Sequence, residues 1–348
     1  MLAARYLGPE RIEPVVVETR KPAREEALVR VEACGFCGSD IGIVSGRHPR
    51  AKPPLTIGHE VFGEVVESCA GLSPGAHVVL YPLVSCGECR MCRTGHGHVC
   101  RNLRVFGFDF DGGMAEFMTA PARNLLPAPA DFPAWLGALV EPLAVAVHAV
   151  SRTMVPPGDA VLVIGAGPVG LLLALLLKHR GYFAPICEVS PYRRQLAGKI
   201  GLDTVDPAPS RVAEMIREET AGEGAAVVFE CAGHPSAGRL MTDSARGRGV
   251  IVNVGVFKKP VEIDLQAVNF KELTVIGSRV YTREDFSHAI RLAPLLNLDR
   301  VVTHRLPLSE AATAYDLMRS AEAGKVVLAP VVKKEERTIR TDQRKAGM

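Results

Sequence analysis

The pattern of hydrophobic and polar residues changes near Val155. Before it, proline and glycine separate short β-branched runs, which are typical of strands in a β-rich, partly barrel-like unit: VVVE, ALVRVEA, EVFGEVVES and HVVLYPL. After it, helical segments such as PYRRQLAGKI, SRVAEMIREET and PSAGRLMTDSA alternate with apolar runs that predict strands: AVLVI, FAPICE, AAVVFE, GVIVNVG and LTVIGS. Ser190 and Pro191 predict one helix start, and Gly201 predicts its end. This alternation predicts a doubly wound parallel sheet.

The apolar run from Ala160 to Leu177 is long enough to suggest a membrane span. Gly165, Gly167, Pro168 and Gly170 interrupt it, however. We therefore predict a short buried strand, a glycine turn and a helix.

Composition narrows the class of protein. The chain has 348 residues, 47% apolar and 23% charged, with a net charge of +3. Chains above about 250–300 residues usually divide, so we expect two domains. The small net charge predicts no nucleic-acid or membrane partner. The opening MLAARYLGPE lacks a signal-peptide pattern, and nine cysteines in metal-type spacing favour a cytoplasmic protein.

Four cysteines follow a C-x2-C-x2-C-x7-C spacing: Cys86, Cys89, Cys92 and Cys100. One loop can fold these thiolates around a tetrahedral zinc, and a closed site of this kind is structural because no coordination position is left for a substrate. A four-cysteine iron–sulfur cluster is the alternative. His96 and His98, inside the same loop, are alternates to a thiolate that four cysteines make unnecessary.

A G-x-G-x-x-G pattern at Gly165, Gly167 and Gly170 follows a predicted strand and opens a predicted helix. Its glycines allow the backbone to approach a pyrophosphate at the helix N-terminus. Glu188 ends the second strand, where a carboxylate can accept from the adenosine ribose and would repel a 2′-phosphate. We therefore expect NAD, with NADP as the alternative because Arg193 and Arg194 follow closely.

A metal site able to do chemistry needs an open coordination position. Cys37 in CGFCGSD and His59 with Glu60 in GHE offer one thiolate, one imidazole and one carboxylate. Three protein ligands plus water are typical of a catalytic zinc. Glu141 in EPLAVAVHAV is a fourth candidate, either as a ligand that exchanges with water or as a base beside the metal.

In this order, CGFCGSD, GHEVFGEVVE, the four-cysteine loop, EPLAVAVHAV and GAGPVG resemble the zinc-dependent medium-chain alcohol dehydrogenase family over nearly the whole chain. The GHE and EP segments resemble most its polyol, sugar-alcohol and threonine dehydrogenase branch. The resemblance implies an α/β protein with a GroES-like β-rich catalytic domain and a Rossmann dinucleotide-binding domain. The implied ranges are 1–152 with the structural zinc loop, 153–292 for the Rossmann domain, 293–333 returning to the catalytic domain, and a flexible charged tail at 334–348.

The resemblance also implies roles for individual residues. Cys37, His59 and Glu60 match catalytic-zinc positions, Glu141 matches a position that ligates or assists, and the four-cysteine loop matches the structural zinc. Ser39 would take the alcohol proton, and Asp40 would orient His59, with a helix cap as the alternative role. Cofactor contacts are implied at Gly165, Gly167, Val169, Gly170, Glu188, Arg193, Gly255, Val256, Ser278 and Arg279.

The chain departs from the family at one position, since Gly42 stands where a histidine usually ends the proton relay. Either the proton leaves directly to water, or His48 supplies a substitute imidazole. The implied reaction interconverts a secondary alcohol, from a polyol, sugar derivative or 3-hydroxy amino acid, and its ketone by hydride transfer. Alternatives are a primary alcohol or aldehyde dehydrogenase and a non-catalytic NAD- and zinc-binding protein. The family also implies a homodimer or homotetramer.

Overall fold

The computed structural model describes residues 1–67, 71–206 and 209–330. The predicted charged tail, 334–348, lies outside the described residues. Contacts divide the chain into two compact units. Among the described residues, the first unit comprises Met1–Val84, Arg104–Leu139 and 299–330, and the second comprises Ser85–Leu103 and Val140–Leu298.

The strands of the described residues are, in chain order, β1 Leu2–Gly8, β2 Arg11–Val16, β3 Glu26–Phe36, β4 Leu55–Thr56, β5 Glu60–Glu67, β6 His77–Leu80, β7 Leu83–Val84, β8 Arg104–Val105, β9 Phe117–Pro121, β10 Leu125–Pro127, β11 Val161–Ile164, β12 Ile186–Cys187, β13 Thr204–Val205, β14 Ala225–Glu230, β15 Ala245–Asn253, β16 Thr274–Gly277, β17 Val302–Pro307 and β18 Lys325–Ala329. The α-helices are α1 Gly38–Val44, α2 Arg90–Arg93, α3 Ala134–Gly137, α4 Val140–Ser151, α5 Pro168–His179, α6 Pro191–Lys199, α7 Pro209–Glu219, α8 Ala237–Ser244, α9 Leu265–Phe270, α10 Arg283–Leu292 and α11 Ala311–Arg319.

The first unit is β-rich, as its β-branched runs predict. Its largest sheet has the order β10-β6-β5-β3-β18-β17, with β9 also paired to β3, and a second sheet has the order β2-β1-β4. Strand β18 comes from the end of the described chain and pairs antiparallel with β3, placing Val326 opposite Phe36. This pairing brings a late segment beside the strand that leads into Cys37.

The second unit contains a parallel sheet with the order β13-β12-β11-β14-β15-β16. The five strands predicted from the apolar runs are confirmed, and the structure adds β13, which was not among them. Ser190 accepts a hydrogen bond from the Arg193 backbone at the start of α6, and Gly201 follows that helix with a φ of +80°. The chain order reverses between β11 and β14, and cofactors bind where parallel sheets reverse in this way.

The division by contacts falls at different residues from the predicted ranges. Helix α4 belongs to the second unit because it packs against α5 and α10, and the cysteine loop groups with the same unit because His98 packs against His148 of α4. The stretch Ala134–Ser151 is long and apolar enough to cross a membrane, but 78% of it is buried inside the protein. Such burial is typical of a core helix.

Candidate active site and cofactor-binding loops

The paired strands β3 and β5 bring the three predicted catalytic-metal ligands together. Gly35 lies opposite Glu60 across this pair, Cys37 follows β3 as the N-cap of α1, and His59 immediately precedes β5. The Cys37 sulfur, a nitrogen of His59 and an oxygen of Glu60 all lie within 4.8 Å of one another. One sulfur, one nitrogen and one oxygen at this separation fit a single zinc ion.

Glycines make room for these ligands. A side chain on Gly35 would overlap the Glu60 carboxylate, so only glycine fits opposite it. Gly58 has a φ of +97° and turns the chain into His59 and Glu60. The glycine before each ligand segment is therefore required by the geometry of the site.

Lys325 was not anticipated from the sequence. Its Nζ donates to both carboxylate oxygens of Glu60, at 2.6 and 2.7 Å, and to the carbonyl of Phe36 at 3.3 Å. Both side chains are 1% exposed. The signal that could have found this cation is a lone lysine at the head of the apolar strand KVVLA. Glu60 is therefore an ion-paired carboxylate, and any metal it binds shares it with Lys325.

Asp40 lies beside the same residues. Its Oδ2 accepts from the Cys37 backbone at 2.8 Å, completing a capping box at α1, and its Oδ1 lies 3.7 Å from His59 Nδ1. Burial raises the pKa of Asp40 to about 6, although His59 and the Cys37 amide oppose the rise. The position of Asp40 is compatible with both predicted roles, capping the helix and orienting His59.

Ser39 and His48 are the predicted proton-handling residues. The Ser39 Oγ is buried and has no hydrogen-bond partner among the described residues. His48 Nδ1 accepts from the backbone amide of Ala51 at 3.1 Å. The ring of Phe108 contacts both His48, at a centroid distance of 4.8 Å, and His59, at 5.0 Å. Burial and then Arg50 lower the pKa of His48. The role of each residue in proton transfer stays a prediction.

Glu141 lies in the first turn of α4, in the second unit, and is buried. The Tyr281 hydroxyl donates to its Oε1 at 2.6 Å, and Tyr281 is itself fully buried. Sequence reasoning missed this tyrosine because 140 positions separate it from Glu141. The predicted part of Glu141 in metal binding stays a prediction.

The four cysteines of the loop form a compact donor set. Their sulfurs lie 3.4 Å apart for Cys86 and Cys100, 3.5 Å for Cys89 and Cys92, 3.8 Å for Cys89 and Cys100, and 3.9 Å for Cys86 and Cys92. Thiolates at about 2.3 Å from a tetrahedral zinc lie roughly 3.8 Å from one another. Backbone amides of Cys92 and Arg101 lower the pKa of Cys89 to about 6. The set therefore fits one tetrahedral ion.

The glycine loop joins β11 to α5. Gly165 has a φ of +101°, and a side chain on Gly170 would overlap the Gly165 carbonyl. Gly167 is the N-cap of α5, whose first residue is Pro168. Buried Glu188 accepts from the backbone amides of Ala166 and Ser190, each at 2.7 Å. The loop therefore has the backbone shape that a pyrophosphate requires, with the predicted ribose acceptor beside it.

The two arginines after Glu188 differ. Arg194 donates to the carbonyls of Glu188 and Val189 at 2.6 and 2.8 Å and lies 3.7 Å from Asp206. A Cβ on Gly167 would lie 4.0 Å from an Arg193 guanidinium nitrogen, and the Arg193 Nε is buried without a hydrogen bond among the described residues. The guanidinium group of Arg194 is thus already bound by two protein carbonyls, whereas that of Arg193 lies beside the glycine loop.

The remaining predicted cofactor residues follow the carboxyl ends of parallel strands or open a helix: Val169 in α5, Gly255 and Val256 after β15, and Ser278 and Arg279 after β16. Sequence reasoning missed Glu230, the last residue of β14. Its Oε1 accepts from the amides of Ala232 and Gly233 at 2.8 and 2.7 Å, and a side chain on Gly255 would overlap its Oε2. The Glu230 backbone carbonyl also accepts from the amides of Val254 and Gly255, both at 2.8 Å, so this residue links the loops that follow β14 and β15.

A thiolate–imidazole–carboxylate metal set and a dinucleotide-type glycine loop on this pair of units define a zinc-dependent dehydrogenase. Two family models match this chain: an alcohol dehydrogenase GroES-like domain at residues 23–130 and a zinc-binding dehydrogenase at residues 168–294. The chain belongs to the zinc-dependent medium-chain alcohol dehydrogenase family, and the predicted fold class is confirmed. It is an NAD(P)-dependent oxidoreductase acting on CH–OH donors, so the non-catalytic alternative does not hold.

Named relatives share most of the chain. L-galactonate-5-dehydrogenase of Escherichia coli (strain K12) is 35% identical, with 85% of this chain and 88% of that protein covered. L-threonine 3-dehydrogenase of Pyrococcus abyssi is 36% identical, with 90% and 94% covered. A zinc-binding dehydrogenase structure from Sinorhizobium meliloti 1021, bound to NADP, is 33% identical, covers 94% of this chain and 99% of that one, and has a TM-score of 0.89.

Proposed function

We propose that this protein oxidises a secondary hydroxyl of a polyol or sugar acid to the ketone, with NAD as hydride acceptor. The observation that carries the proposal is the donor set of Cys37, His59 and Glu60 within 4.8 Å, with the unpartnered Ser39 hydroxyl two residues after Cys37. A zinc bound by these residues would act as a Lewis acid on the alcohol oxygen. Ser39 would accept the alcohol proton while its own hydroxyl proton passes on, either through His48 or directly, to water.

The choice of substrate class rests on two acidic residues of the FGFDFDGG turn. Asp109 accepts from the Val105 amide and Asp111 from the Thr56 amide, both at 2.8 Å, and Asp109 also lies 3.2 Å from Arg50. Asp111 lies 3.7 Å from Arg5 in the same way, so each carboxylate already faces a cation that a substrate ammonium group would have to displace. We therefore rank polyols and sugar acids, the class to which the L-galactonate relative's substrate belongs, ahead of 3-hydroxy amino acids.

NAD is the proposed cofactor because of Glu188. Its carboxylate is fixed by two backbone amides beside the glycine loop, where it would accept from ribose hydroxyls and repel a 2′-phosphate. Arg194 is held by two carbonyls and Asp206. Arg193 would contact the adenosine or its phosphates instead.

The closed cysteine site is proposed as a structural zinc, because four mutually close thiols leave no position for a substrate. Nucleic-acid and membrane partners are not expected, and we propose a cytoplasmic location from the free metal-type cysteines. A homodimer is proposed through the edge strand β16. That strand ends the parallel sheet, and the exposed apolar residues Val275, Phe270 and Leu265 lie on it or on the preceding helix α9.

The test is an NADH-formation screen of polyols, aldonates, cyclitols, 3-hydroxy amino acids and simple primary alcohols, with and without a zinc chelator. We expect turnover with polyols or aldonates, NAD preferred over NADP, and loss of activity on chelation. Glu60→Gln should abolish turnover, whereas Glu64→Gln, on the same strand but paired with exposed Arg30, should not. Preferential turnover of primary alcohols, or full activity without zinc, would contradict the proposal.

A further inference from the structure

A pocket in the second unit gathers four histidines. It has a volume of about 460 Å³ and is lined by His96 and His98 from the cysteine loop, His148 from α4 and His288 from α10. None of these histidines has a part in the proposed reaction. Four imidazoles on three separate segments pose the question of what this pocket binds.

A carboxylate orients the His148 ring, which is typical of histidines that bind metals. Its Nδ1 lies 2.8 Å from Asp285 Oδ2, and the same carboxylate oxygen accepts from the Thr282 backbone at 3.0 Å and from the Thr282 hydroxyl at 2.6 Å. When Asp285 accepts a hydrogen bond from the Nδ1–H of the imidazole, Nε2 keeps a lone pair that can bind a ligand. A carboxylate that orients a histidine in this way is the usual partner of a metal-binding imidazole.

His98 supplies a second donor next to it. Its residue surface is 7% exposed, and its buried Nδ1 has no hydrogen-bond partner among the described residues. The His98 and His148 rings meet edge to face, with centroids 5.0 Å apart and an interplanar angle of 70°. Two imidazoles bound to one tetrahedral zinc at about 2.0–2.1 Å have centroids roughly 5 Å apart. The two rings are therefore spaced as ligands of one ion.

A third imidazole, that of His96, lines the same pocket. The exposed ring of His96 has its centroid 6.1 Å from that of His98. Imidazoles favour zinc, copper and nickel, whereas magnesium and calcium prefer oxygen. Arg152 and Arg291 also line the pocket, but Glu284 and Asp285 offset their charge, so an anion has no net attraction there.

We propose that His98, His148 and His96 bind a divalent transition-metal ion such as Zn²⁺, with Asp285 as the residue that orients His148. This site is additional to the four-cysteine site and to the set formed by Cys37, His59 and Glu60. It predicts a third zinc per chain, bound more weakly than the thiolate-held ions because its ligands are neutral and partly exposed.

The test measures zinc stoichiometry in the full-length, zinc-loaded enzyme by equilibrium dialysis and elemental analysis. We expect three zinc ions per chain, one of them removed by a mild chelator. His98→Asn and His148→Gln should each reduce the count from three to two. Asp285→Asn should lower the affinity for the third ion by about 10–100-fold. His179→Gln, an exposed histidine at the end of α5, is the matched control and should leave the count at three.

Saturation of the wild type at two zinc ions would overturn the proposal, and so would a third ion that persists in His148→Gln. If the pocket variants do not fold, electron paramagnetic resonance of Cu²⁺ added to the zinc-loaded wild type decides. Coupling of the tightly bound copper to at least two imidazole nitrogens supports the site. A spectrum with one such nitrogen or none contradicts it.

Discussion

The four-cysteine site and the catalytic set of Cys37, His59 and Glu60 are built in opposite ways. The closed site takes four cysteines from one loop, and its donors are identical. The catalytic set combines a sulfur, a nitrogen and an oxygen, and its neighbours Lys325 and Asp40 add charged groups that a structural site does not need. Local, uniform donors suit a site that only holds a loop. Mixed donors from separate strands suit a site whose electrostatics must be adjusted for chemistry.

The largest effect is expected at Cys37, in the catalytic set. Cys37→Ala removes the thiolate that anchors the catalytic ion, and we expect NAD-linked turnover to fall by about 10³-fold or more, since Lewis-acid stabilisation contributes several kcal/mol. The melting temperature should change little. Steady-state kinetics beside a thermal scan measure both effects, with the buried Cys34→Ala as matched control. Substantial turnover in Cys37→Ala would show that this set does not hold the catalytic metal.

The ion pair between Lys325 and Glu60 gives the next largest effect, and it acts on stability. Lys325→Met leaves a buried carboxylate without its cation, which should cost about 3–5 kcal/mol in the zinc-free protein. Zinc should restore part of the loss, because the metal supplies the missing positive charge. Denaturant unfolding with and without zinc tests this expectation.

A second change provides the control for that experiment. Removing both charges in Glu60→Gln/Lys325→Met should recover much of the stability lost in Lys325→Met, because no unpaired charge stays buried. Equal instability of the single and double variants would mean that packing, rather than charge, explains the effect.

Loss of a cysteine from the closed site should have the opposite effect to Cys37→Ala: it should lower stability and leave turnover nearly unchanged. Cys92→Ser should lower the melting temperature by about 6–12 °C, corresponding to roughly 3 kcal/mol, because a metal-held loop is lost. Turnover per folded molecule should stay within about threefold. Met91→Leu, its neighbour in the loop, controls for packing. A large loss of turnover with unchanged melting would assign this loop to the chemistry instead.

The smallest effect is expected at His48, and it tests whether this residue takes part in proton transfer at the catalytic set. Since burial and then Arg50 lower the pKa of His48, its imidazole remains neutral, and able to accept a proton, to a lower pH than that of an exposed histidine. His48→Ala should therefore reduce the oxidation rate mainly below neutral pH, by about 10-fold, with little change in NAD affinity. An unchanged pH–rate profile would remove His48 from the proton path.

Much of the site was predictable because its signals are local. The glycine loop, the four cysteines and the GHE segment each lie within one short stretch of the chain, and backbone geometry requires glycine at Gly165 and Gly58. Residues contributed by distant segments escaped prediction. Lys325 meets Glu60 across 265 positions, and Glu230 meets Gly255 across a loop pair that no spacing rule describes.

The sequence by itself determined the strand–turn–helix pattern, the closed cysteine set and the family, since each depends on short-range spacing and on residue chemistry. Only the tertiary structure decided which charges share Glu60, which hydroxyl holds Glu141, and that His98 lies against His148 and its partner Asp285. The physical reason is that the energy of a buried charge or imidazole depends on its neighbours in space, and these neighbours come from strands and helices far apart along the chain.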